Sequence, residues 1–171
     1  PAGDYIYFLS DLSGRLSLYR MPRNGGVPEP LLPRQIGLMT PTLIGGASFH
    51  VFPRLEKVIV MIDRDGDENY QPHWVPLTGG FPEPVFGDRF AAKQLVLTKA
   101  DAERNLAVFG VDMRSAPVRE SYLVDLETGA TTFLGRSPYG NWLGGASDDF
   151  SRMILGDAYT SGDHVLYYWE K

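Results

Sequence analysis

Cysteine is absent from this chain of 171 residues. There is therefore no disulfide framework, no thiolate metal site and no cysteine nucleophile, and the composition suits a reducing compartment such as the cytoplasm. Long apolar runs are missing too. The densest, Val58-Ile59-Val60-Met61-Ile62, falls far short of the ~18 residues a membrane helix needs. The start, Pro1-Ala2-Gly3-Asp4, has neither the charged region nor the apolar region of a signal peptide. It also lacks an initiator Met, so the chain is expected to be a piece of something longer. The 16 lysines and arginines are dispersed, and the net charge is −5. No basic run could track a phosphate backbone, so neither nucleic acid nor membrane is expected as a partner. Histidine occurs three times, as His50, His73 and His164, never at ligand spacing such as H-x-x-x-H. No phosphate-cradling G-x-x-x-x-G-K followed by Ser or Thr is present, and no cofactor is expected.

Turn formers are abundant, with 19 glycines and 13 prolines. They bound apolar runs of five to seven residues, and no stretch has the period of a helix of two or three turns; Thr98 to Arg104 is short and polar. This pattern predicts an all-β protein. The phrases also repeat. Gly25-Gly26-Val27-Pro28-Glu29-Pro30-Leu31-Leu32 returns as Gly79-Gly80-Phe81-Pro82-Glu83-Pro84-Val85-Phe86, with the Gly-Gly pairs 54 positions apart. A looser copy, Thr128-Gly129-Ala130-Thr131-Thr132-Phe133-Leu134, follows about 49 residues later. Self-similarity at this period marks a repeat architecture.

Four units are expected, over about 1–33, 45–87, 93–135 and 141–171. Expected strands include Tyr5 to Leu9, Leu16 to Met21, Pro30 to Leu32, Ala47 to Phe52, Lys57 to Ile62, His73 to Leu77 and Pro84 to Phe86. Later come Gln94 to Thr98, Leu106 to Val111, Glu120 to Leu126, Thr131 to Leu134, Trp142 to Ala146, Met153 to Gly156 and His164 to Trp169. The second strand of a unit is apolar on both faces, as in a sheet packed between two others, and the outer strands carry edge-compatible prolines. Four short antiparallel strands with a buried interior and an outer edge describe a propeller blade. The first unit lacks an innermost strand and the last an outermost one. The expected fold is thus a partial β-propeller of roughly four blades with incomplete first and last blades.

Certain phrases point further. Ile6-Tyr7-Phe8-Leu9-Ser10-Asp11-Leu12-Ser13-Gly14 and Leu18-Tyr19-Arg20-Met21-Pro22 resemble TolB-type propeller repeats. Val60-Met61-Ile62-Asp63-Arg64-Asp65-Gly66-Asp67-Glu68 and Val75-Pro76-Leu77-Thr78-Gly79-Gly80 resemble blades of the prolyl oligopeptidase family, in its acylaminoacyl-peptidase and dipeptidyl aminopeptidase branch. That resemblance implies a serine peptidase in two parts, a gating propeller over an α/β-hydrolase domain that carries the catalytic residues. This chain would be part of the propeller, inactive alone. Its partners would be the absent hydrolase domain and remaining blades, or a second copy of itself, with peptides passing through. A stand-alone TolB-like propeller binding proteins or ligands is the alternative.

Candidate chemistry is sparse. Gly45-Gly46-Ala47-Ser48-Phe49 and Gly144-Gly145-Ala146-Ser147-Asp148 lack the second Gly of the G-x-S-x-G nucleophile elbow. Their near-identity, 99 residues apart, reads as a further repeat signal. No catalytic residue is expected. Asp63, Asp65 and Asp67 alternate as carboxylates around one hard cation can, but Gly66 falls one residue after the second Asp and Trp74 stands where an EF-hand needs Glu. The Asp65-Gly66 pair fits a turn, so no metal site is expected, and these three residues would be the ones to hold a metal. Trp74, Trp142, Trp169, Tyr5, Tyr7 and Tyr122 could line a ligand channel or fill the wedges between blades.

Overall fold

In the stretch Lys57–Ile62 four successive side chains, Val58, Ile59, Val60 and Met61, are buried. Alternation sends Val58 and Val60 to one face of the sheet and Ile59 and Met61 to the other, so this strand must be covered on both sides. A computed structural model of the protein, which describes residues 3–38, 45–64 and 66–171, shows that covering. Val58 and Val60 pack with Leu18, Leu31 and Val75, while Ile59 and Met61 pack with Leu95, Leu97 and Phe109.

Among the described residues, fourteen strands form four antiparallel sheets. The first holds β1 (Tyr5–Ser10), β2 (Ser17–Pro22) and β3 (Glu29–Pro30). The second holds β4 (Phe49–Phe52), β5 (Lys57–Ile62), β6 (Gln71–Pro76) and β7 (Glu83–Pro84). The third holds β8 (Gln94–Asp101), β9 (Leu106–Asp112), β10 (Arg119–Asp125) and β11 (Thr131–Ser137). The fourth holds β12 (Trp142–Ala146), β13 (Arg152–Thr160) and β14 (Asp163–Glu170). Strands pair in sequence order within each sheet, and among the described residues the only helical element is a 3₁₀ turn at Pro53–Leu55. No helix among them is long and apolar enough to cross a membrane.

This is the partial propeller the repeats predict, with three strands in its first and last blades. The glycine phrases occupy one turn in three successive blades, between β2 and β3, β6 and β7, and β10 and β11. Gly25, Gly79 and Gly129 there have φ of 95°, 86° and 75°, a region that side chains with a Cβ rarely adopt. Glu29-Pro30 and Glu83-Pro84 then pair identically, Arg20 with Glu29 as Trp74 with Glu83.

The strand limits differ from expectation where burial overrides pattern. Leu31 and Leu32 leave β3 and turn into the wedge between blades one and two. β13 runs past Gly156 to Thr160, through a buried aspartate. The two Gly-Gly-Ala-Ser segments are not equivalent. The second strands of blades two, three and four begin at Lys57, Leu106 and Arg152, successively 49 and 46 residues apart. A spacing of 99 therefore overshoots the repeat. Gly45 to Ser48 precedes β4, whereas Gly144 to Ala146 ends β12 and Ser147 opens the next turn.

Each wedge between blades is a hydrophobic cluster, and backbone bonds stitch across the one between blades two and three: Ala47 N–H to Leu97 O at 2.9 Å and Leu95 N–H to Tyr70 O at 2.9 Å. The outer face of the fourth blade is open, leaving Ile154, Leu166 and Tyr168 exposed.

Candidate functional site

Turns joining second to third strands, and the connections between blades, emerge on one face of the propeller. There a cleft of about 620 Å³ separates the first two blades. Arg15, from the β1–β2 turn, and Gln35 to Gly37 form one wall. The β5–β6 turn and the start of β6 form the other, with Asp63, Arg64, Asp67, Asn69, Gln71 and His73. Gln71 is fixed from behind, its Nε2 donating to the carbonyls of Phe90 (3.1 Å) and Lys93.

Of the acidic trio, Asp67 caps its own turn. Its Oδ1 accepts from the backbone N–H of Asn69 (2.9 Å) and of Arg64 (3.2 Å), and Oδ2 from Asn69 Nδ2 (3.2 Å). The Asn69 bonds hold this carboxyl below its ordinary pKa. Asp63 Oδ2 has no partner among the described residues. Asp65 lies outside them. No group of three or more metal-ligating side chains occurs among the described residues.

The histidines are dispersed. His50, on β4, tilts against Phe52 with ring centroids 5.0 Å apart. His73 Nδ1 bonds Gln71 O at 3.0 Å inside the cleft. His164 meets the edge of Trp142 in the last blade. No histidine hydrogen-bonds a serine among the described residues. Ser147 Oγ instead donates to Asp149 at 2.7 Å. The large aromatics serve packing: Trp74 against Phe52, Tyr122 against Phe90, Trp169 against the core between the last two blades. Tyr7 packs in the first wedge, Tyr5 lies under the Arg20 guanidinium at 4.6 Å, and Trp142 covers Gly156.

Burial lowers the pKa of both His50 and His73 below 6.5. Protonation thus favours the unfolded chain, whose histidines take the proton near 6.5. Stability from these two side chains is whole above that value and is lost as pH falls through their lower folded pKa. The melting temperature is expected to hold from about pH 8 to 7 and to fall as pH drops below about 6.5. In a His50→Gln/His73→Gln variant that step should vanish; parallel curves for variant and wild type in a pH series of thermal melts would refute the assignment.

No known protein family's sequence profile matches the chain, and no curated protein matches it in sequence. Solved structures do match in shape. TolB from Acinetobacter baumannii superposes with a TM-score of 0.61 at 13% identity, over 98% of this chain and 38% of its own. An oligogalacturonate lyase in complex with manganese gives 0.67 at 15%, over 97% and 47%. A chain of a nidogen/laminin complex gives 0.56 at 12%, over 91% and 53%. The fold class is an open β-propeller, and its particular form is that of part of a TolB-like propeller. The chain spans about two fifths to half the length of these structures.

Proposed function

We propose that the chain is a polypeptide-binding propeller module that holds a partner's segment in the cleft between its first two blades. The carrying observation is the cleft's composition. It has about 620 Å³, both signs of charge and side-chain amides, and no paired nucleophile and base among the described residues. Such a lining satisfies peptide N–H and C=O groups and charged side chains alike. The likeness to a chain from a complex of two proteins, nidogen and laminin, supports this use of the fold. Fold alone does not select it, because a lyase shares the architecture.

Panning a phage-displayed library of random peptides tests the reading. Selected peptides should bind the wild type and lose about ten-fold or more in affinity, about 1.4 kcal/mol, on Arg15→Glu/Arg64→Glu. Absence of enrichment, or peptides indifferent to both substitutions, would sink it.

A second reading places this module in a prolyl oligopeptidase-type serine peptidase, selecting which peptides reach a separate hydrolase domain. It is favoured by the first of the peptidase-like phrases, whose Ile62, Asp63, Arg64, Gly66 and Asp67 line the cleft. A G-x-S-x-G strand–turn–helix segment further along the parent gene would support it; a parent frame holding only more blades would reject it. On either reading, chromogenic aminoacyl substrates should not be turned over by this chain.

A further inference from the structure

The repeat breaks at one buried pair. In blade three Leu95 pairs with Val111, both fully buried and apolar. Forty-six residues later, at the same place in blade four, stand Asn141 and Asp157, only 5% and 3% exposed. The correspondence is fixed by register: Val96–Gly110 and Leu97–Phe109 recur as Trp142–Gly156 and Leu143–Leu155. A carboxylate thus replaces an aliphatic side chain in a wedge, where an unpaired charge is expensive.

Asp157 accepts one backbone bond, Asn141 N–H to Oδ1 at 2.8 Å, and its side-chain neighbour is the Tyr167 hydroxyl. None of the ion pairs among the described residues includes it. Asn141 is constrained to serve it. Its φ is 47°, its carbonyl accepts the Ser121 hydroxyl at 2.6 Å, and its Nδ2 is buried with no partner among the described residues. Beside the pair is a cavity of about 360 Å³ between blades three and four. Three tyrosines stand around it. Tyr139 and Tyr159 have ring centroids 4.2 Å apart, and the Tyr159 and Tyr167 hydroxyls are 3.4 Å apart. All three residues are over 40% exposed, so a ligand can reach the rings from solvent. Tyr167 is held neutral, its phenol pushed up to about 12 by the Tyr159 hydrogen bond first and by the nearby Asp157 carboxylate last. Arg136 also borders the cavity, but its Nε lies 3.7 Å from Glu120, its ion-pair partner.

An anionic floor, electron-rich aromatic faces and an uncommitted amide make the chemistry of a cation receptor. We propose that this corner binds an alkylammonium group, as carried by a lysine side chain or a small amine. The site is separate from the cleft between the first two blades, and it stands whether or not that cleft holds peptide.

The test is an NMR titration of the 171-residue chain with n-butylammonium, Nα-acetyl-lysine methylamide and its neutral Nε-acetyl counterpart. Both cations should shift resonances of Gly135, Asn141 and Tyr167 saturably, and the neutral counterpart should bind at least about ten-fold more weakly. Tighter binding of the lysine derivative identifies a polypeptide source, and equal binding a small amine. The decisive variant is Asn141→Leu/Asp157→Val, which restores the blade-three pair. It should melt no lower than the wild type and lose the shifts. Asp157→Asn, nearly isosteric, should lose at least about ten-fold in affinity. Unshifted wild-type spectra, or equal binding to Asp157→Asn, would overturn the proposal.

Discussion

Replacing Phe109 with alanine is expected to cost about 3–5 kcal/mol of folding stability, a large part of the ~5–15 kcal/mol typical of a domain. Phe109 lies mid-strand in β9 and is fully buried in the wedge between blades two and three. Its ring meets the edge of Phe86 at 5.3 Å and 83°, and Phe86 meets Phe90 in the same way. Ile59 and Met61 close the wedge from the neighbouring blade. The surroundings cannot collapse into the lost volume, because two sheets held apart by their own hydrogen bonds define it. Urea unfolding should show a lower midpoint with an unchanged slope. Phe133→Ala is the control: that ring also packs against an aromatic, Tyr122 at 5.6 Å, but is half exposed. Its loss should cost about 1 kcal/mol or less. Equal effects for the two phenylalanines would mean that blade packing is not what holds the chain together.

The same wedge explains why the fold was legible in the sequence. A strand buried on both faces must be apolar at every position, so Val58 to Met61 stands out without alignment. A turn that needs positive φ must recur as glycine, so Gly25, Gly79 and Gly129 mark one place in three blades. The strand limits were less legible. Leu31 and Leu32 look like strand but serve as wedge filling. Asp157 looks like a strand end but sits inside β13.

The candidate sites were mostly not legible. The cleft draws Arg15, Gln35, Arg64 and Asp88 from four separated turns, and no local spacing announces their meeting. Asp63 and Asp67 do border it, but their alternation reflects a turn in which Asp67 caps its own backbone. The Asn141–Asp157 pair carries one sequence signal, a charge where the 46-residue repeat has Val111. That signal emerges only once sheet register fixes the repeat length.

Gly46 and Gly145 test how far short motifs can stand for structure. Both follow a glycine and precede Ala-Ser, yet they meet different surroundings. A Cβ on Gly46 would lie 2.5 Å from Val96 Cγ1 and 2.6 Å from the Leu97 carbonyl oxygen. That carbonyl also accepts the Ala47 N–H, so backbone of blade three is pressed against the entry to blade two. Val96 could turn aside, but the carbonyl could move only by breaking the bond that joins the two blades. Gly46→Ala is therefore expected to destabilise by about 1–3 kcal/mol, the usual cost of overpacking. The loss of the cross-blade bond would add about 1 kcal/mol. At Gly145 an added Cβ meets nothing within 4 Å, and the same substitution should change stability by about 0.5 kcal/mol or less. Paired denaturant melts would read the difference directly. Amide exchange should also show Ala47 losing protection in Gly46→Ala while the Tyr19 and Arg20 amides of blade one keep theirs. A Gly145→Ala variant as damaged as Gly46→Ala would imply that blade four is covered in solution on the face that is open here.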